Sequence, residues 1–175
     1  MYFIIKSLKS QIFKNMFLQR IINPIFMWLI IIAGVVICLI LLPNNKLFSL
    51  GIFGWIIFIA CAFYWIYILS KGLPLHRQAI RSVAGIDHLL TDGIYKLSRH
   101  PLYGAHIVMA WGVFFLIATL KVLAIVIWLN IFLVLWAKLE EWGLQKKFGQ
   151  VYTDYKKTTP MIISHLSLKK IINLL

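Results

Sequence analysis

Acidic residues are scarce in this chain, with five Asp and Glu among 175 positions against 18 Lys and Arg, and charged residues of both signs make up only 13%. Soluble domains carry about 25% charged side chains. That deficit, together with a hydrophobic content of 62%, excludes a water-soluble globular domain and indicates an integral membrane protein. Cysteine is limited to Cys38 and Cys61, both inside apolar segments and neither in C-x-x-C spacing, so a disulfide framework is excluded and both read as packing residues. His76, His88, His106 and His165 are scattered without ligand spacing, and no metal site is expected. Nor does any serine or cysteine stand in a nucleophile arrangement. The excess of cations does not mark a nucleic-acid surface, because the Lys and Arg residues lie between apolar blocks, where they read as flanks facing anionic lipid.

The apolar blocks define the organisation. Residues 24–42 contain no charged residue, enough rise for a span of about 30 Å. Residues 48–70 form a second uncharged block, and Pro43-Asn44-Asn45-Lys46 between them reads as a turn closing a hairpin. Residues 102–119 and 122–140 give two further spans, joined by a short turn at Lys121. The predicted fold is therefore all-α, with four transmembrane helices in two hairpins and amphipathic interfacial helices at both ends, in one membrane domain covering 1–175. Residues 1–22 place Ile5, Leu8, Ile12 and Met16 on one helical stripe beside Lys6, Lys9, Lys14 and Arg20, which predicts the first interfacial helix. Residues 71–101 form a charged connector. Residues 141–175 form C-terminal helices outside the bilayer, the first continuing from span four through 157. On this division 16 of the 18 cations fall on one side, so both termini, the connector and any site near them are expected to be cytoplasmic.

Two polar clusters stand out from this plan. Arg99, His100 and Tyr103 precede span three, and Glu140-Glu141 end span four. A hairpin between those spans brings the clusters together into one cytoplasm-facing site. Consecutive helical residues point about 100° apart, so the two glutamates are expected to face different partners, one meeting a ligand and the other supporting it or pairing with Arg99. Gly34, Gly51 and Gly54 read as close-packing positions in or beside apolar helices.

The pattern G-x-Y-x-x-x-R-H-P-x-Y, present as Gly93, Tyr95, Arg99, His100, Pro101 and Tyr103, is followed by two spans. E-E-x-x-L-x-x-x-F-G-x-x-Y-x-x-Y then appears as Glu140, Glu141, Leu144, Phe148, Gly149, Tyr152 and Tyr155. Together these resemble the isoprenylcysteine carboxyl methyltransferase and phospholipid methyltransferase superfamily. The resemblance covers residues 85–160. It implies an integral membrane methyltransferase using S-adenosyl-L-methionine, with the cofactor in a cytosolic pocket and a lipophilic acceptor reaching it from the bilayer. It further implies cofactor contacts at Gly93, Tyr95, Arg99, His100, Tyr103, Glu140 and Glu141, with Arg99, His100 and Glu141 nearest the chemistry. The residue types suit those roles, since a carboxylate accepts from ribose hydroxyls or an ammonium, and Arg or His donates to a carboxylate.

Where relatives commonly carry R-H-P-x-Y-x-G, this chain has Gly104-Ala105, and the cation many carry before the last proline is replaced by Thr158-Thr159 ahead of Pro160. Lys156 and Lys157 could substitute but sit at other positions; without a cation at that place an acceptor carboxylate lacks a partner, so the expected reacting group is an amine or thiol, with His100 or a glutamate removing its proton. Two other readings compete: a membrane reductase of the sterol-reductase type using NADPH, and a non-enzymatic membrane scaffold.

Overall fold

The computed structural model describes residues 24–75 and 86–162. Among the described residues it is all-helical, with five α-helices: α1 (Pro24–Leu41), α2 (Ile52–Gly72), α3 (Pro101–Ile117), α4 (Leu120–Phe148) and α5 (Gln150–Thr158). A short 3-10 turn, Gly93–Lys96, precedes α3. The helices α1, α2 and α4, of 18, 21 and 29 residues, are long and apolar enough to cross a membrane; α3 is apolar but shorter, at 17 residues. The end segments expected as interfacial helices, 1–22 and most of 161–175, lie outside the described residues.

Local chemistry sets the helix limits. Pro101 sits in the first turn of α3, where its missing N–H breaks no helical bond. At the other end Ala118 adopts a left-handed conformation and Thr119 caps α4, its side chain accepting from the Val122 amide. The turn between α3 and α4 is thus at Ala118-Thr119, and Lys121, expected to mark it, lies inside α4 with its ammonium donating to the Leu39 carbonyl at 2.8 Å. Gly51 likewise differs from expectation. Its φ is +55° and no atom crowds its α-carbon, so it serves the backbone turn into α2, which begins at Ile52.

The first two apolar helices do not make their principal contacts with each other. Instead α1 packs on α4, α4 on α3, and α3 on α2. One core layer joins Met27 and Ile31 of α1 to Leu133 and Trp136 of α4; another joins Ile68 of α2 to Ile94, Tyr95, Leu102 and Ala105. Close approach is possible because Gly34 meets the Trp128 indole, where an added Cβ would stand 2.0 Å from the ring, and Gly112 meets Cys61. Outward positions such as Ile32, Ile40, Phe53, Phe63 and Leu135 remain exposed and apolar, as a lipid-facing surface requires.

One end of the bundle is tied mainly through backbone. The Leu47 amide donates to the Ala118 carbonyl at 2.8 Å and the Leu120 amide to the Asn45 carbonyl at 2.9 Å, so the link after α1 meets the α3–α4 turn. The opposite end holds the polar residues.

Candidate functional site

The site begins with a loop that cannot continue as helix. Gly93 has φ +58°, a left-handed conformation that glycine adopts without steric cost. The 3-10 turn it opens buries Ile94 and Tyr95 in the α2–α3 layer. Ser98, fully buried, donates through its hydroxyl to the Met161 carbonyl at 3.1 Å and accepts from the His100 amide at 3.2 Å. The Arg99 and His100 amides donate to the Pro160 and Met161 carbonyls, both at 2.9 Å. A two-residue strap from beyond α5 therefore fixes Arg99 and His100 from the backbone side.

The side chains are fixed from α4. Glu141 Oε1 accepts from Arg99 Nε at 2.7 Å and lies 2.6 Å from Nη2, while Glu141 Oε2 lies 3.2 Å from Lys156 Nζ. The remaining Arg99 nitrogen, Nη1, donates to the carbonyls of Lys156 and Thr159. With the Arg99 and Glu141 side chains only 10% and 7% exposed, this is a desolvated ion pair; removal of Glu141 would leave the Arg99 charge buried without its carboxylate, and removal of Arg99 would leave Glu141 only Lys156 as a cationic partner of fixed charge.

His100 stands between the two glutamates. Its Nδ1 is 3.6 Å from Glu140 Oε2 and its Nε2 is 3.4 Å from Glu141 Oε1. The ring stacks on Tyr103, whose hydroxyl donates to Glu140 Oε1 at 2.7 Å. The adjacent glutamates have different hydrogen-bond partners, Tyr103 for Glu140 and Arg99 for Glu141, and His100 lies near both. An imidazole presents nitrogens on two edges, and two long side chains diverging from neighbouring positions reach one each. Glu141 is the partner of Arg99.

Helix α5 completes the enclosure. The helix expected to continue through 157 breaks at Gly149, whose φ of +56° turns α5 away from α4 and back toward the loop. There the Tyr155 hydroxyl donates to the Tyr95 carbonyl at 2.6 Å, and Tyr152 is buried. Burial above all raises the pKa of the Tyr95, Tyr152 and Tyr155 phenols, and the Glu141 charge adds to this at Tyr152 and Tyr155. These hydroxyls therefore stay protonated near neutrality and cannot act as bases.

Of the residues singled out from sequence, Arg99, His100, Tyr103, Glu140 and Glu141 form one cluster. Tyr95 joins it through its carbonyl, while Gly93 shapes the loop and its α-carbon faces Leu75. Ser98 and Thr159 were not anticipated as members, and Lys156 only as a stand-in for the cation missing before Pro160. Ser98 gave a weak signal by its place beside Arg99, whereas Thr159 contributes a backbone carbonyl, which any residue type would supply.

The phospholipid methyltransferase family profile matches residues 50–151, more than half of the chain and both polar clusters. A methanethiol S-methyltransferase of Pseudomonas deceptionensis is 26% identical over 114 residues, 65% of this chain and 43% of that protein. The chain thus aligns with less than half of that relative's length. No solved structure matches. The paired clusters at one end of apolar, membrane-capable helices, within a sequence that fits the profile across both, place the chain in the phospholipid methyltransferase family.

Proposed function

We propose that the protein transfers a methyl group from S-adenosyl-L-methionine to a lipophilic acceptor whose reacting group is a thiol or amine. The observation that carries this reading is the enclosed network of Arg99, His100, Tyr103, Glu140 and Glu141, in a chain of a methyltransferase family. Family membership favours methyl transfer over nicotinamide-linked reduction or a scaffold role. The relative that methylates methanethiol, by its name, supports a thiol acceptor over a carboxylate.

The residues present fit such a donor. His100 Nε2 and the Tyr152 hydroxyl are buried without a hydrogen-bond partner at the network, beside the ammonium of Lys156 and two carboxylates. Polar groups left in this state are costly and suit a ligand that supplies partners. Glu140 is the more open carboxylate, its side chain 18% exposed against 7% for Glu141, and would accept from ribose hydroxyls or an ammonium. Lys156, His100 and Tyr152 would donate to the donor's carboxylate. Arg99 and Glu141, already satisfied by each other and by the strap, hold this set in place. Gly93 and Tyr95 shape the loop beneath it.

When bound, the sulfonium supplies a methyl group for in-line displacement. Because its positive charge is lost in that displacement, carboxylates that held it tightly would stabilise the ground state. The work left to the protein is orientation and exclusion of water, which the stacked His100–Tyr103 pair and the strap serve.

In this proposal α3 also crosses the bilayer, beside the three helices long and apolar enough to do so, giving four spans. In this arrangement the turn end faces away from the cytoplasm and the polar end faces it, on the distribution of cations. The whole of 1–175 forms one membrane domain in this proposal.

The test is equilibrium binding of S-adenosyl-L-methionine and NADPH to purified protein in nanodiscs, followed by transfer of labelled methyl to alkanethiols, alkylamines and a total lipid extract. Saturable binding of the sulfonium donor alone, with label in thiol or amine products, is expected. Binding of NADPH instead, or label in a base-labile ester, would overturn the proposal.

A further inference from the structure

One turn deeper along α3 than Tyr103 lies a second group of polar atoms that the network does not use. His106 accompanies Tyr103 at a spacing of three residues, so both point to one face of α3, about 4.5 Å apart along its axis. His106 Nδ1 is 2.7 Å from the Leu102 carbonyl. A carbonyl only accepts, so Nδ1 carries the proton of the neutral ring and Nε2 presents a lone pair. Among the described residues Nε2 has no hydrogen-bond partner. Two indoles stand edge-on to this imidazole, Trp28 of α1 at 5.3 Å and Trp65 of α2 at 5.9 Å between ring centroids. The Trp65 indole N–H and the Tyr64 hydroxyl are also buried without partners. His106, Trp28 and Trp65 are each only partly buried, so the three rings that meet between these helices are partly accessible; their meeting point is termed the slot.

We propose that this slot binds the thiol head of the acceptor, with His106 Nε2 accepting its proton. The inference rests on the methyl-transfer reading above and deepens it. Three observations decide the chemical class. Among the described residues no carboxylate partners His106, so an ammonium would lack a counter-ion, and none of them is shown to bring a cation to His106 for a carboxylate. The walls are aromatic, which favours sulfur. A lone-pair acceptor beside an unpartnered indole N–H suits a group that both donates and accepts weakly, as a thiol does.

Position favours His106 over His100 as the base, since His100, between Glu140 and Glu141, is assigned above to the donor's carboxylate and so keeps its proton. In the step, the thiol S–H bond breaks and its proton passes to Nε2. The sulfur lone pair forms the new S–CH3 bond, and the donor's S–CH3 bond breaks with its electron pair remaining on the donor sulfur. The imidazolium then releases its proton to water.

The experiment uses full-length protein in nanodiscs, with 1-octanethiol and its isostere nonane as probes and no methyl donor present. Binding is followed by tryptophan emission and by the nitrogen NMR spectrum of labelled histidine. Octanethiol is expected to bind several-fold more tightly than nonane and to shift His106 Nε2, and His106→Phe, which keeps a ring between the indoles, should abolish that preference. With donor added, single-turnover methylation of octanethiol should fall about 100-fold or more in His106→Phe, while affinity for the donor stays unchanged. Equal affinity of the wild type for the two probes, or wild-type methylation by His106→Phe, would overturn the proposal. Should His106→Phe not fold, the wild-type probe preference and nitrogen shift decide alone. Because those readings need no donor, failure to bind S-adenosyl-L-methionine would count against the proposed function and leave the slot to be judged separately.

Discussion

The two ends of the helical bundle solve the same backbone problem by different means. At the turn end, two amide-to-carbonyl bonds join residues 45–47 to 118–120, and the added side-chain contributions are the Thr119 cap and one Lys121 bond to a carbonyl. At the polar end, two comparable bonds join residues 99–100 to 160–161, but here two acids, two basic side chains, a histidine and a tyrosine surround them. Backbone bonds with one cap and one lysine close the first end, so structural closure does not by itself call for the acids, arginine and histidine at the second. In a chain with five acids, two of them stand together at that end, and this concentration is what motivates the proposed site there.

The comparison is broken most completely by topology. Cysteine replacing exposed Asn45 should react with an impermeant maleimide added to intact cells, and cysteine replacing exposed Gln150 should react only after lysis. Labelling of both from outside would remove the assignment of the polar end to the cytoplasm.

Next in size is Arg99→Ala. It leaves Glu141 buried beside Lys156 and His100, releases the Lys156 and Thr159 carbonyls, and should cost about 3–5 kcal/mol of stability. Thermal unfolding in nanodiscs would show this, together with loss of donor binding. An unchanged melting temperature would mean that the ion pair does not anchor the strap.

Glu140→Gln is predicted to separate ligand binding from architecture. It keeps an acceptor for the Tyr103 hydroxyl and removes only the charge, so the fold should persist. Charge-assisted bonds contribute about 1.5–3 kcal/mol, and donor affinity should fall roughly ten- to 150-fold by calorimetry. Wild-type affinity would assign the donor contact to another residue.

The smallest effect belongs to the turn end. Thr119→Ala removes the α4 cap and should cost about 1 kcal/mol in stability while leaving donor affinity unaltered. A loss of affinity comparable with that of Glu140→Gln would couple the two ends and undo the contrast between them.

The apolar helices and the residue composition of the site were legible in the sequence. Charge-free runs of this length form helices able to span hydrocarbon, because only internal hydrogen bonding satisfies the backbone there. Arg99, His100, Tyr103, Glu140 and Glu141 could be brought together once α3 and α4 were read as antiparallel neighbours. Tertiary structure decided the rest. A helix that is apolar all round carries no stripe to name its neighbour, so the pairing of α1 with α4 came from the fit of the Trp128 indole against Gly34 and of Trp136 against Met27. The sharing of His100 by both glutamates depended on side-chain reach across two helices, which angular spacing along one helix does not contain. The strap lay beyond sequence reading because its bonds to Arg99 and His100 use backbone carbonyls, present at every residue and made specific only by where Gly149 turns the chain.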